Sequence, residues 1–413
     1  MRRILVSLVT ALLLSAPQLA AAQPAPGLQS SLNRPLSRAG TASGALVVDL
    51  NTGHTLYSLR PGTARLPASV EKLYTTATAL SAFGPNGTLQ TTVRGVGSLD
   101  ASGTWHGTLY LRGGGDPTFG SASYVHFAYG SGATMQRLIA NLIRATGIRS
   151  LRGAIIGDES VFDPLRGTPA TGYGFSPDLE GELSGLAYDR GFADEQGASV
   201  QNRPPLFAAQ RFAAALRAAG VTVPRGTRVS AGAAPRSSRL LSAVNSPRMA
   251  TLIRLTNTPS DNFLAEMLLK DVGARLGGRG STAAGAAMVR RQLSTLGLHP
   301  RLVDGSGLSR ADLTSPRDVV TLLSALATNQ PFVSSLAIGG QTGTIRSGLR
   351  GTAAQGRCRG KTGTLHDVAN LVGYCTAANQ HTLAFAFLMN GVNPTAGHAL
   401  EYQMAVALAR YAG

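Results

Sequence analysis

Residues 358–375 constrain the fold more tightly than any other stretch of the chain. Arg359-Gly360-Lys361-Thr362-Gly363-Thr364-Leu365 and Val368-Ala369-Asn370-Leu371-Val372-Gly373-Tyr374-Cys375 flank His366-Asp367, and the two flanks read as the strands of a hairpin. A turn centred between His366 and Asp367 sets Cys358 directly opposite Cys375, provided no one-residue bulge shifts the register. Opposed residues of a non-hydrogen-bonded pair have Cα atoms about 4.5 Å apart, within reach of a disulfide. The expectation is a cross-strand Cys358–Cys375 disulfide stapling the strand that carries Lys361, Thr362, Gly363 and Thr364.

A disulfide needs an oxidising compartment, and the N-terminus agrees. Met1-Arg2-Arg3, an apolar core from Ile4 to Leu14, and Leu19-Ala20-Ala21-Ala22 before Gln23 have the form of a secretory signal occupying residues 1–22. The apolar core is too short for a spanning helix of about 20 residues. The mature chain is therefore expected to be periplasmic or extracellular, without a transmembrane segment. The formal charge is +17 for the whole chain and +15 once Arg2 and Arg3 are removed with the leader, which suits association with an anionic envelope. Nucleic acid is a poor alternative, because the arginines are scattered and not interleaved with aromatic residues. The 413 residues, 43% hydrophobic, are enough for two or three domains with cores of their own.

Of 38 basic residues only Lys72, Lys270 and Lys361 are lysines. Arginine stays protonated, whereas a buried lysine can lose its proton and act as a base. Lys72 follows Ser69 at i+3, in Pro67-Ala68-Ser69-Val70-Glu71-Lys72, and the apolar run from Thr75 to Phe83 reads as a buried helix. Residues i and i+3 of a helix share a face, which brings an amine to a hydroxyl that needs a base to become a nucleophile. Taken alone, the pair is equally the pattern of a solvated helix face.

Two further motifs follow in order. Ser260-Asp261-Asn262 opens a helical segment from Phe263 to Val272, and by itself is a good N-cap cluster. Lys361-Thr362-Gly363 lies on the hairpin strand. Gly340-Gln341-Thr342-Gly343-Thr344 nearly copies it, but glutamine has no charge to offer a carboxylate. Asp304-Gly305-Ser306-Gly307 is either a bare turn or a cleft-lining loop. Gly113-Gly114-Gly115-Asp116 lacks the lysine of a phosphate loop and reads as a tight turn. The histidines are dispersed, with no His-Glu-x-x-His and no paired Cys-x-x-Cys, so neither a metal nor another cofactor is expected.

Ser-x-x-Lys, Ser-Asp-Asn and Lys-Thr-Gly in this order are the set shared by penicillin-binding proteins and related β-lactamases. The chain resembles the D-alanyl-D-alanine carboxypeptidase/endopeptidase family of low-molecular-mass class C penicillin-binding proteins. The likeness includes Gly107 to Pro117, Leu302 to Arg310, and the long gap between Ser69 and Ser260. It implies an α/β (α+β) architecture: a transpeptidase/β-lactamase-like domain, an antiparallel sheet flanked by helices, from residues 23–85 plus 245–413. A mixed α/β insertion of residues 86–244 separates the first and second motifs. The residues of the gap agree, with a hairpin from Thr91 to Leu111, helices over Met135 to Thr146 and Leu206 to Ala219, and a buried strand at Ile155-Ile156.

The resemblance also implies roles. Ser69 attacks the penultimate D-alanine carbonyl of a peptidoglycan stem peptide, and Lys72 takes its proton, kept neutral by repulsion from Lys361. Ser260, between Lys72 and Lys361, passes a proton to the leaving D-alanine. Asn262 binds the substrate backbone, Thr362, Gly363 and Thr364 hold its terminal carboxylate, and the N–H groups of Ser69 and Thr364 form an oxyanion hole. Asp158 is read either as a solvated turn residue or as a group meeting the stem peptide. β-Lactams are the expected inhibitors. The alternatives are a serine β-lactamase of the same fold, which lacks such an insertion, and a non-catalytic wall-binding module, which needs no intact Ser69, Lys72 and Lys361.

Overall fold

The computed structural model describes residues 26–194, 197 and 199–413; the leader at 1–22 lies outside them. Helix α1 (Pro26–Arg38) leads into strands β1 (Ser43–Asp49) and β2 (Thr55–Leu59), and a 3₁₀ turn over Ala68–Glu71 then runs into α2 (Lys72–Phe83). The chain next builds a separate sheet. Strands β3 (Gln90–Leu99) and β4 (Thr104–Arg112) form the expected hairpin, followed by α3 (Ala122–Tyr129), α4 (Met135–Thr146), β5 (Ser150–Asp158), α5 (Pro204–Ala218), β6 (Arg228–Ala231) and β7 (Arg239–Asn245). The return brings α6 (Met249–Asn257), α7 (Asn262–Gly277), α8 (Thr282–Ser294), α9 (Pro316–Leu326) and α10 (Gln330–Ser335). It ends with β8 (Ala337–Ile338), β9 (Cys358–Leu365), β10 (Val368–Thr376), β11 (Thr382–Asn390) and α11 (Pro394–Arg410).

The first sheet has the order β2-β1-β11-β10-β9-β8, antiparallel throughout, so strands from both ends of the chain lie side by side. Its central strands are buried on both faces. Leu46, Val48, Ala384, Ala386 and Leu388 meet the helical layer containing α2 and α6 to α9. The alternate residues Ala45, Val47, Phe385, Phe387 and Met389 pack under α1 and α11. Period-two alternation thus feeds two cores, and the strands read as unbroken apolar runs.

The second sheet has the order β6-β5-β4-β3-β7, with β4, β5 and β6 parallel and the other pairs antiparallel. Helices α4 and α5 cover it through Leu138, Leu142, Phe212 and Leu216. The sequence signals for α4 are local: Thr134 accepts from the Arg137 N–H at its start, and Gly147 at φ 71° ends it. A smaller core of Phe162, Leu179, Leu183, Phe263, Leu264 and Met267 welds the 159–191 connection to α7. Arg190 lies 5.1 Å over the Phe263 ring and pairs with Asp261, the N-cap of α7. The second motif is thus anchored by the 159–191 connection.

Candidate active site

Ser69 sits on the 3₁₀ turn, not on a regular α-helix as the sequence suggested. The change preserves the pairing, because with three residues per turn i and i+3 eclipse. The turn is strained and held from three directions. Ala68 has φ 46°, in the left-handed region. Asn370 of β10 donates from Nδ2 to the Leu66 and Pro67 carbonyls, both at 2.9 Å. Gly363 passes so close that a Cβ there would stand 2.4 Å from the Pro67 oxygen. Gly307, at φ 81°, leaves no room either: a Cβ would be 1.8 Å from the Ala68 oxygen.

Lys72 is fully buried, and its Nζ donates to Ser69 Oγ at 2.8 Å, Asn262 Oδ1 at 2.6 Å and the Ser306 carbonyl at 2.8 Å. These three partners are not equivalent. A backbone carbonyl only accepts. Asn262 Nδ2 donates to the Asp178 carbonyl at 2.6 Å, so its Oδ1 must face the lysine. When Lys72 is neutral, its two N–H bonds go to these two acceptors. The lone pair is left pointing at Ser69, whose hydroxyl then becomes the donor. Burial pulls Lys72 down to about 8, against the opposing pull of Asp304, Glu266, Asp261 and Glu180. The largest cause is desolvation.

Lys361 is also buried, and donates to Ser260 Oγ at 2.7 Å and to its neighbour's carbonyl, that of Thr362, at 2.8 Å. Burial, then repulsion from Lys72, pushes it well below the ordinary lysine range. Ser260 has φ 72°, a second left-handed non-glycine at the site. Its hydroxyl is bonded to Lys361, while Lys72 turns to Asn262; the side chain of Asn262 is engaged at both ends within the protein. Thr362 donates to Thr344 Oγ1 at 2.8 Å, so the lysine-less near-copy of the motif lies against the real one. Thr364 is exposed.

Asp304-Gly305-Ser306-Gly307 lines the site. Asp304 accepts from the N–H groups of Gly307 (2.7 Å) and Ser309 (2.8 Å), and Glu266 Oε1 accepts from Gly305 (2.9 Å) and Ser306 (2.8 Å). These bonds aim the Ser306 carbonyl at Lys72. The third lysine, Lys270, pairs with Asp163 at 2.7 Å and joins α7 to the insertion. Asp158 is fully buried, accepting from Ser160 and Ala234 N–H groups, so it does not reach the cleft. Cys358 and Cys375 are opposed in the unshifted β9–β10 ladder, with Cα atoms 4.0 Å apart and a disulfide between them. Among the described residues no helix is long and apolar enough to cross a membrane, and no cluster of His, Cys, Asp or Glu is arranged to hold a metal.

The model of the D-Ala-D-Ala carboxypeptidase 3 (S13) family matches residues 28–179 and 190–411, and so takes in all three motifs. The chain belongs to this family. Curated relatives within reach include the D-alanyl-D-alanine carboxypeptidase of Actinomadura sp. strain R39, 29% identical with 91% of this chain and 82% of the relative covered. Carboxypeptidase DacB of Mycolicibacterium smegmatis is 30% identical, with 87% of this chain and 79% of the relative covered. The crystal structure of penicillin binding protein 4 from Haemophilus influenzae superposes with a TM-score of 0.77 at 20% identity. It covers 92% of this chain and 99% of that one, and shows the same transpeptidase-like fold.

Against the family motifs, the residues that sequence reasoning left out are those that position others. Asn370 was read only as part of a strand, although an amide in an apolar strand must find partners. Glu266 lies four residues after Asn262 on α7, on the same face. Ser306 lies in the loop read as a bare turn or a cleft lining, but what it contributes is a carbonyl, which no side-chain pattern shows.

Proposed function

We propose that the protein is a serine-type D-Ala-D-Ala carboxypeptidase and DD-endopeptidase of peptidoglycan, working through a Ser69 acyl-enzyme and inhibited by penicillins. The observation that carries this is the 2.8 Å contact between Ser69 Oγ and a buried Lys72 whose other two partners can only accept. Lys72 takes the Ser69 proton as Oγ attacks the carbonyl of the penultimate D-alanine. The N–H groups of Ser69 and Thr364 receive the oxyanion. The proton that Lys72 took passes through the Ser260 hydroxyl, which Lys361 holds in place, to the amine of the departing residue, so that both Lys72 and Ser260 return to their starting states. Asn262 orients Lys72, Thr362, Gly363 and Thr364 cradle the terminal carboxylate, and water releases the acyl group.

In this reading residues 23–85 and 245–413 form the catalytic domain, and residues 86–244 are an insertion bracing its second motif. The protein works outside the cytoplasm, at the anionic cell wall where its substrate lies. The test is labelling with a fluorescent penicillin, then digestion of cross-linked muropeptides. Stable labelling of the wild type, none of Ser69→Ala, and release of D-alanine or of uncrosslinked monomers are expected. Labelling of Ser69→Ala, or rapid turnover of the penicillin without peptide cleavage, would overturn the reading.

A further inference from the structure

Beside the third motif lies a relay that the roles above do not use. Thr364 Oγ1 and His398 Nε2 are 2.9 Å apart, and His398 Nδ1 and Glu401 Oε2 are 2.6 Å apart. His398 and Glu401 belong to the first two turns of α11. Glu401 is fully buried, and its other oxygen has no protein partner among the described residues. The His398 side chain is 22% exposed and stacked on Tyr402. A buried carboxylate turned to one ring nitrogen fixes that nitrogen as the N–H donor. The other nitrogen alone then changes with protonation, and it faces Thr364.

We propose that His398 is a specificity-determining positioning residue, whose bond to Thr364 decides whether that hydroxyl offers the substrate's terminal carboxylate a proton or a lone pair. This rests on the reading that Thr364 meets the carboxylate. With His398 neutral, Nε2 accepts the Thr364 hydroxyl proton, and only oxygen lone pairs face the cleft. With His398 protonated, Nε2–H donates to Oγ1, and the hydroxyl proton is free to bond the carboxylate. The imidazolium also adds a positive charge there, which Lys361, buried and turned to Ser260, does not supply.

The surroundings leave Glu401 as the controlling partner. From α11 itself Glu401 and Tyr402 face the ring; Glu401 holds the imidazolium above its ordinary range, while burial lifts Glu401 itself to about 7, so the two groups titrate as a pair. Strand β9 presents the Thr364 hydroxyl and carries Arg359 and Lys361; the Tyr374 hydroxyl of β10 donates to the Leu323 carbonyl, and β11 bears no charged side chain. Helix α1 carries Arg34 and Arg38, and the loop whose Gly348 lies under the Tyr402 ring carries Arg346 and Arg350.

The test compares an acyl-D-alanyl-D-alanine with its C-terminal amide between pH 6 and 9. Both need Lys72, so the ratio of their kcat/KM cancels its titration. For the wild type the ratio should fall about tenfold with rising pH, mainly through KM of the carboxylate substrate. His398→Phe should flatten it, and Glu401→Gln should move the fall to lower pH; penicillin labelling of each variant checks that the site is folded. A ratio independent of pH in the wild type, or a fall that survives in labelled His398→Phe, overturns the inference and leaves the proposed function standing. No cleavage of either substrate and no labelling of the wild type would overturn both.

Discussion

If the lone pair of Lys72 is the base, the rate of penicillin acylation must follow the neutral fraction of that one side chain. With Lys72 at about 8, that fraction is about 1% at pH 6, about 9% at pH 7 and about 90% at pH 9. Acylation should therefore rise roughly tenfold from pH 6 to pH 7 and level off above pH 8. Lys72→Arg keeps the charge but has no lone pair to give at any of these pH values. It should lose about 100- to 10,000-fold, the usual contribution of a general base, and its profile should be flat. The assay is stopped-flow acylation by a fluorescent penicillin at saturating concentration, where the limiting rate is free of any pH dependence of carboxylate binding, with circular dichroism to verify that the variant is folded. A wild-type profile that is flat from pH 6 to 9, or a folded Lys72→Arg acylating within tenfold of wild type, would refute the argument.

Three other outcomes are expected. Gly363→Ala, whose Cβ would lie 2.4 Å from the Pro67 oxygen, should force β9 off the Ser69 turn and reduce acylation more than it lowers the melting temperature. Glu266→Ala leaves two buried N–H groups without their acceptor, at about 2–4 kcal/mol of stability by urea unfolding, whereas Glu266→Gln keeps an acceptor oxygen and should recover most of it. Alkylation without reductant should find no reactive thiol, and the Cys358→Ser/Cys375→Ser double variant, opening a loop with a sequence separation of 17, should unfold about 3 kcal/mol more easily.

The hairpin was legible because it is local: one turn and two strands without a bulge decide which residues face each other, and the register follows. Helices with clear caps, such as α4 between Thr134 and Gly147, were legible for the same reason. The nucleophile and its base came from two residues three apart, and survived the exchange of an α-helix for a 3₁₀ turn because both conformations put i and i+3 together. What escaped depended on long-range contact. Asp158 stands in a polar sequence yet is sealed between β4 and the 234 loop, where backbone N–H groups satisfy it. Asn262 reads in the sequence as a substrate-binding amide, and only the fold shows its other end bonded to Asp178 of the 159–191 connection. His366 and His398 are equally isolated in the sequence, and only the packing of α11 on β9 gives the second a place beside the motif.

The lowered affinity of Lys72 for its proton has a condition that burial alone does not meet. Four carboxyl groups, those of Glu71, Glu266, Asp304 and Asp312, are buried around it, and as anions they would hold the ammonium charged. The same desolvation acts on them in the opposite sense. It pushes Glu266 up to about 8, Asp312 to about 9, Glu71 well above its usual range and Asp304 upward, with mutual repulsion adding to each of the first three. Asp304 and Asp312 share a hydrogen bond, which a carboxyl and a carboxylate can make and two anions cannot. Glu266 and Asp312 therefore keep most of their protons near neutral pH, and Glu266, Asp304 and Asp312 accept from backbone N–H groups, so the acids do not cancel the effect of burial on the lysine. A base made from lysine in a dry site requires that its acidic neighbours be dry as well.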